Sequence, residues 1–150
     1  AAPASPLEEL RQEIKREVHG DPIVLEVPGR AGWSVRYRAD VELPQLAAWR
    51  KKAADRAMPE GLDELKLCLT ILANQCDALL KDGREVEDDD GQLVTFASAA
   101  FLELTGAGRA VEAVRRWYVI DGHVVAAAQE VMNASGYGEE AIREDPTPRS

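Results

Sequence analysis

The stretch LDELKLCLTILANQCDALLKDG, residues 62–83, constrains the fold of this chain more than any other. In helical projection Lys66, Thr70, Asn74, Asp77 and Lys81 fall on one narrow polar stripe. Nearly every other position is Leu, Ile, Cys or Ala, with Gln75 the exception. A helix that leaves only a strip exposed belongs at the centre of a core. The pattern predicts the longest buried helix over about residues 63–81, with Gly83 as its C′ residue.

The rest of the chain must pack around that helix. Hydrophobic residues make up 45% of 150, but 23 of them are alanine and only 5% of the chain is aromatic. Alanine is the best helix former and fills little core volume, so helices are favoured. SPLEELRQEIKREV opens with Ser5 as N-cap, Pro6 at the first helical position and Glu8 where a capping box needs it. Leu7, Leu10, Ile14 and Val18 form a thin apolar stripe on that segment, which Gly20-Asp21-Pro22 ends. LPQLAAWRKKAADRA reads as a second helix with Pro44 near its start and a basic run at Arg50, Lys51, Lys52 and Arg56. Three shorter helical patterns follow: SAAFLELTG with Ser98 as candidate N-cap, GRAVEAVRRWYV, and DGHVVAAAQEVMNASG with Asp121 as candidate N-cap.

Two segments have β character. In WSVRYR, Trp33, Val35 and Tyr37 alternate with Ser34, Arg36 and Arg38, and the turn-rich PGRAG separates this run from IVLEV. REV and LVTF flank a second turn at Asp90-Gly91. The expected fold is therefore mainly α within the α+β class: a compact helical domain with two small β-hairpins, near residues 23–38 and 84–96. The expected organisation is an N-terminal amphipathic helix over 1–20, one globular domain over 21–138 and a polar C-terminal tail over 139–150, disordered toward its end.

The same composition narrows the partners. A net charge of -9 repels phosphate backbones and anionic lipid, so neither nucleic acid nor a membrane surface is an expected partner. No apolar run approaches the roughly 20 residues that span a bilayer. The opening AAPASPLEEL has neither a basic n-region nor an apolar h-region, so no secretory leader is expected there. Cys68 and Cys76, eight residues apart on one helix, would lie about 12 Å apart along its axis, too far to bridge. Two unpaired thiols fit the cytoplasm.

Catalytic and metal chemistry find little support. EVEDDDGQLVTF holds four consecutive carboxylates, Glu87 to Asp90. An EF-hand with Gly91 at its sixth position would need oxygen ligands at Val86 and Ala97, and with Gly83 it would need one at Ala78. The stretch reads as a turn with Asp88 and Asp89 at an exposed tip, which also allows an acidic docking patch. His19 and His123 have no second ligand at metal-binding spacing. TGAGRAV lacks the third glycine of a dinucleotide loop and follows a helix, so it reads as a helix–helix connection. With no convergent acid, base and nucleophile, an enzyme is not expected. Nor is a metal or other cofactor.

The order of these pieces resembles a known family. IVLEVPGRAGWSVRYRADV, LKLCLTILANQC, EVEDDDGQLVTF, AVEAVRRWY and ASGYGEE are similar to segments of the tail assembly chaperones of long-tailed actinobacterial phages, from about Asp21 to about Glu140. The resemblance rests on core and turn residues. It implies a cytoplasmic helper, absent from the virion, that binds the tape-measure protein and the major tail protein while the tail tube grows. It also implies a longer product made by ribosomal frameshift. The alternative is a structural phage protein, a connector or minor tail component acting by self-association. In either case the expected contacts are with proteins, including a second copy of the chain. Leu7, Leu10 and Ile14 are the candidate partner-binding residues. Trp117 and Tyr118 are candidate anchors beside them, since Trp and Tyr are common at interfaces, although such a pair is more often core edge.

Overall fold

The computed structural model describes residues 5–19 and 21–142. It shows an α+β fold: six α-helices and a four-stranded antiparallel sheet. In chain order these are α1 (Pro6–His19), β1 (Ile23–Glu26), β2 (Trp33–Tyr37), α2 (Leu43–Lys52), α3 (Glu64–Gln75), β3 (Cys76–Lys81), β4 (Arg84–Glu85), α4 (Ala99–Thr105), α5 (Ala110–Tyr118) and α6 (Asp121–Ala134). A short 3-10 turn, Glu139–Ala141, closes the described chain.

The first hairpin forms as its alternation requires. β1 and β2 pair antiparallel from Ile23–Tyr37 to Glu26–Ser34, and Val35 and Tyr37 point into the core with no exposed surface.

The central helix is shorter than its sequence predicts. Asp63 caps α3 by accepting from the Lys66 N–H at 3.0 Å, and the helix runs to Gln75. There the backbone turns extended at Cys76 (φ -63°, ψ 121°) without a loop, and residues 76–81 become β3. β3 pairs with β2 on one side and β4 on the other, and Cys76, Ala78, Leu79 and Leu80 are all buried. A strand between two neighbours and covered on both faces reads as a continuous apolar run, which lacks a period of two.

The second hairpin keeps its expected turn, with Glu87 bridged antiparallel to Leu93 around residues 88–91, but a further turn precedes it. The tight turn is Asp82-Gly83, with φ of 50° and 80°, the two left-handed residues of a two-residue hairpin. It joins β3 to β4, which pair Lys81 with Arg84 and Leu80 with Glu85. Residues 86–94 fold back outside β4: Val94 donates to the Val86 carbonyl at 2.9 Å, and Leu79 donates to that of Val94 at 2.9 Å. Arg36 on β2 reaches across β3 to β4, donating to Asp77 at 2.6 Å and Glu85 at 2.7 Å.

α3 packs on α2, α5 and α6, and α4 packs on α5. The shared core joins Val35, Tyr37 and Leu79 of the sheet to Leu67 and Ile71 of α3, Val114 of α5 and Met132 of α6. Ser98 holds the expected N-cap position of α4, but its side chain accepts from the Thr95 N–H and not from the helix; at α6 the N-cap position falls to Ile120, and Asp121 enters the first turn, where it pairs with Arg115 at 3.1 Å. Ala141 and Ile142, assigned from sequence to the polar tail, are buried, and Arg50 donates to both their carbonyls at 3.1 and 2.9 Å. Residues 143–150 of that tail, and residues 1–4 and 20, lie outside the described residues. Among those described, no helix is long and apolar enough to cross a membrane.

Candidate functional site

α1 begins as its capping signal dictates: the Glu8 N–H donates to Ser5 Oγ at 3.2 Å. Gln12 and Arg11 reach back to Glu8, adding i,i+4 and i,i+3 contacts on the polar side. The apolar side has no such partners. Leu7, Leu10 and Ile14 are 59%, 49% and 48% exposed, and α1 belongs to none of the closely packed helix and strand pairs. Three large side chains in line on an uncovered face are the surface a partner helix or groove would fill.

Trp117 and Tyr118 lie elsewhere, in the core. The Trp117 ring stands edge-on to Trp33 at 5.5 Å and to Phe101 at 5.6 Å, and the Arg30 guanidinium lies 4.9 Å from its centroid. Arg30 Nε also donates to the Trp117 carbonyl at 2.8 Å. The Tyr118 hydroxyl shares a buried 2.6 Å hydrogen bond with that of Tyr37. Burial pushes the Tyr118 phenol up to about 12 and that of Tyr37 well above its ordinary range. The apolar side chains exposed next to this pair are Val119 and Ile120. Val119 sits at φ 66°, a strained value for a β-branched residue, where α5 turns into α6. The structure therefore does not join Trp117 and Tyr118 to the α1 stripe in one surface.

The acidic stretch is organised by its own backbone. Asp88 Oδ1 accepts from the N–H groups of Asp90 at 2.9 Å and Gln92 at 3.0 Å, and Gly91 takes φ 78° to donate back to the Asp88 carbonyl. Asp89 and Asp90 face solvent. Among the described residues, no group of three or more His, Cys, Asp or Glu side chains is placed to share a metal ion. Magnesium or calcium titration is expected to leave the thermal midpoint unchanged, because a ligand of the folded state would raise it. Asp88→Ala, which removes two hydrogen bonds that hold an exposed turn, is expected to cost about 0.5–1 kcal/mol, whereas Asp89→Asn should cost almost nothing. A saturable metal-induced shift abolished by Asp90→Asn would show the loop to be a cation site instead.

A feature not legible in the sequence is a groove of about 900 Å³ over α3 and the start of α5. Leu65, Leu69 and Ala73 form a row along α3, and Ala110 and Val111 face them from α5. All five are half-buried. The lining holds four basic side chains, Lys52, Lys66, Arg109 and Arg115, against two acidic ones, Asp63 and Glu112. Arg109 pairs with Glu112 at 3.7 Å and Arg115 with Asp121, but among the described residues neither Lys52 nor Lys66 forms an ion pair. The polar stripe at Lys66, Thr70 and Asn74 was the sequence signal of one rim. The opposite wall comes from residues about 40 positions later, and no local pattern links the two.

The chain matches no protein-family model, no curated protein and no solved structure.

Proposed function

We propose that this protein is a phage tail assembly chaperone, a cytoplasmic helper that binds the tape-measure and major tail proteins through helical contacts and carries out no chemistry of its own. Two lines support the reading. The segments between Asp21 and Glu140 resemble that family. The observation that carries it is the outward-facing Leu7-Leu10-Ile14 stripe of α1, an apolar face left exposed in the single chain. Helix-in-groove recognition uses such a face, with charged flanks that keep the free helix in solution.

Deletion of residues 1–20 tests this. The truncated chain is expected to keep a cooperative melt within about 1 kcal/mol of the full chain, since little of the core is removed. It should lose co-purification with a co-expressed tape-measure protein. Unfolding of the truncated domain would assign the stripe to the core, and unchanged client binding would remove α1 from the mechanism. Purified phage particles give a second test: a chaperone should be missing from them, and stoichiometric presence would favour the structural alternative.

A further inference from the structure

We infer that the groove between α3 and α5 is the docking site for α1 of a second copy of this chain, so that two chains exchange their N-terminal helices. The inference concerns the free chain: the same stripe meets a client only after the exchanged helix is released, so the oligomer test below and the client test above can fail separately.

Both halves of the contact are present in one molecule. The groove floor is the row Leu65-Leu69-Ala73, eight residues of helix and therefore about 12 Å long. The α1 stripe from Leu7 to Ile14 spans seven residues, about 10 Å. A stripe spaced i, i+3, i+7 laid against a row spaced i, i+4, i+8 is the ordinary ridge-into-groove packing of two helices. The charges are complementary as well. The groove is the place where this acidic chain gathers basic side chains, four against two acidic, including Lys52 and Lys66. The part of α1 that carries the stripe, from Pro6 to Ile14, holds Glu8, Glu9 and Glu13 against Arg11, and Lys15, Arg16 and Glu17 follow it in the sequence. The acidic first half of α1, with its apolar stripe, thus faces a basic groove with an apolar floor. Reciprocal exchange about a two-fold axis would form the contact twice, which a single three-residue stripe needs to make a lasting interface.

The test is the oligomeric state of the full chain by sedimentation equilibrium at 50 and 500 mM salt. The expected result is a concentration-dependent dimer that weakens at least tenfold at the higher salt. Leu10→Asp on α1 and, separately, Lys66→Glu with Arg109→Glu in the groove should each give a monomer that melts cooperatively at the midpoint the wild type shows when diluted below its dimer dissociation constant, since all three side chains are exposed in the single chain. Mixing the two variants should give a heterodimer weaker than the wild-type dimer but tighter than either variant alone, because one of the two contacts, the intact groove of the first with the intact helix of the second, re-forms. A wild-type monomer at every concentration overturns the inference. So does a dimer that survives the groove substitutions, which would mean that α1 pairs with α1. A wild-type monomer whose melt is lowered by Leu10→Asp would mean that α1 docks on its own chain, and likewise overturns it.

Discussion

Raising the pH from 8 to 11 is expected to bring the folded domain close to its unfolding midpoint at 25 °C. Cys68 and Cys76 are both free and buried, and burial pushes each thiol from 9.0 up to about 12. Tyr118 is pushed from 10.0 to about 12 for the same reason, and Tyr37, fully enclosed against it, moves in the same direction. In every case the folded value lies above the unfolded one, so folding favours the neutral form. That contribution is fully present below pH 9 and is lost as the pH rises toward 12. Between pH 9 and 11 each unfolded thiol ionises while its folded counterpart stays protonated, at about 1.4 kcal/mol per pH unit. The loss is roughly 2–3 kcal/mol per thiol by pH 11, with about 1 kcal/mol more from Tyr118. Against a total of about 5–15 kcal/mol for a domain, this is a large fraction. Urea midpoints at pH 8 and pH 11 check it, and a Cys68→Ala, Cys76→Ala chain should show a much shallower fall. Equal midpoints for the unaltered chain would mean that the thiols are accessible. At pH 8 the native thiols should also resist a disulfide reagent until urea is added, since the thiolate is the nucleophile.

The position of these thiols shows where sequence reading succeeded and where it stopped. Cys68 and Cys76 were expected on one helix, and the helix ends one residue before the second. The first hairpin was legible because Trp33 to Arg38 alternate strictly around a turn-rich link, a pattern no helix can place on one face. β3 was not legible, because a strand covered on both faces by neighbours and helices has no alternation to show. Two physical signs of the switch were present. Gln75 interrupts the apolar surface, and in the fold it is almost fully buried, donating to the Arg38 carbonyl at 3.0 Å and to Asp40 at 2.7 Å. Those bonds fix the corner where helix becomes strand. Asp82-Gly83 was the other sign: the dipeptide serves equally as a helix C-terminus and as a hairpin turn, and only strand pairing separates the two. The exposed stripe of α1 was readable because it is local. The groove was not, because its walls come from distant parts of the chain and are apposed only by packing α3 on α5.

The aromatic at position 117 should decide between core and interface in a single comparison. Trp117→Ala is expected to destabilise the domain by about 3–5 kcal/mol, the usual cost of deleting a buried aromatic, and each kcal/mol lowers the melting temperature by roughly 2–4 °C in a chain of this size. The ring is 8% exposed, holds edge-on contacts to Trp33 and Phe101, and supports Arg30. Its loss leaves a cavity between β2, α4 and α5. Trp117→Phe should cost far less, about 1–2 kcal/mol. It keeps a ring in place and removes an indole N–H that is buried with no hydrogen-bond partner among the described residues, so no polar group is newly stranded. Leu10→Ala, on the uncovered face of α1, should move the melt by less than about 0.5 kcal/mol. If Trp117 were instead a partner-binding anchor, the order would invert: Trp117→Ala would leave the isolated chain's melt unchanged and weaken only its complexes. Urea denaturation of the three variants, followed by far-ultraviolet circular dichroism so that the lost tryptophan does not alter the signal, separates the two outcomes.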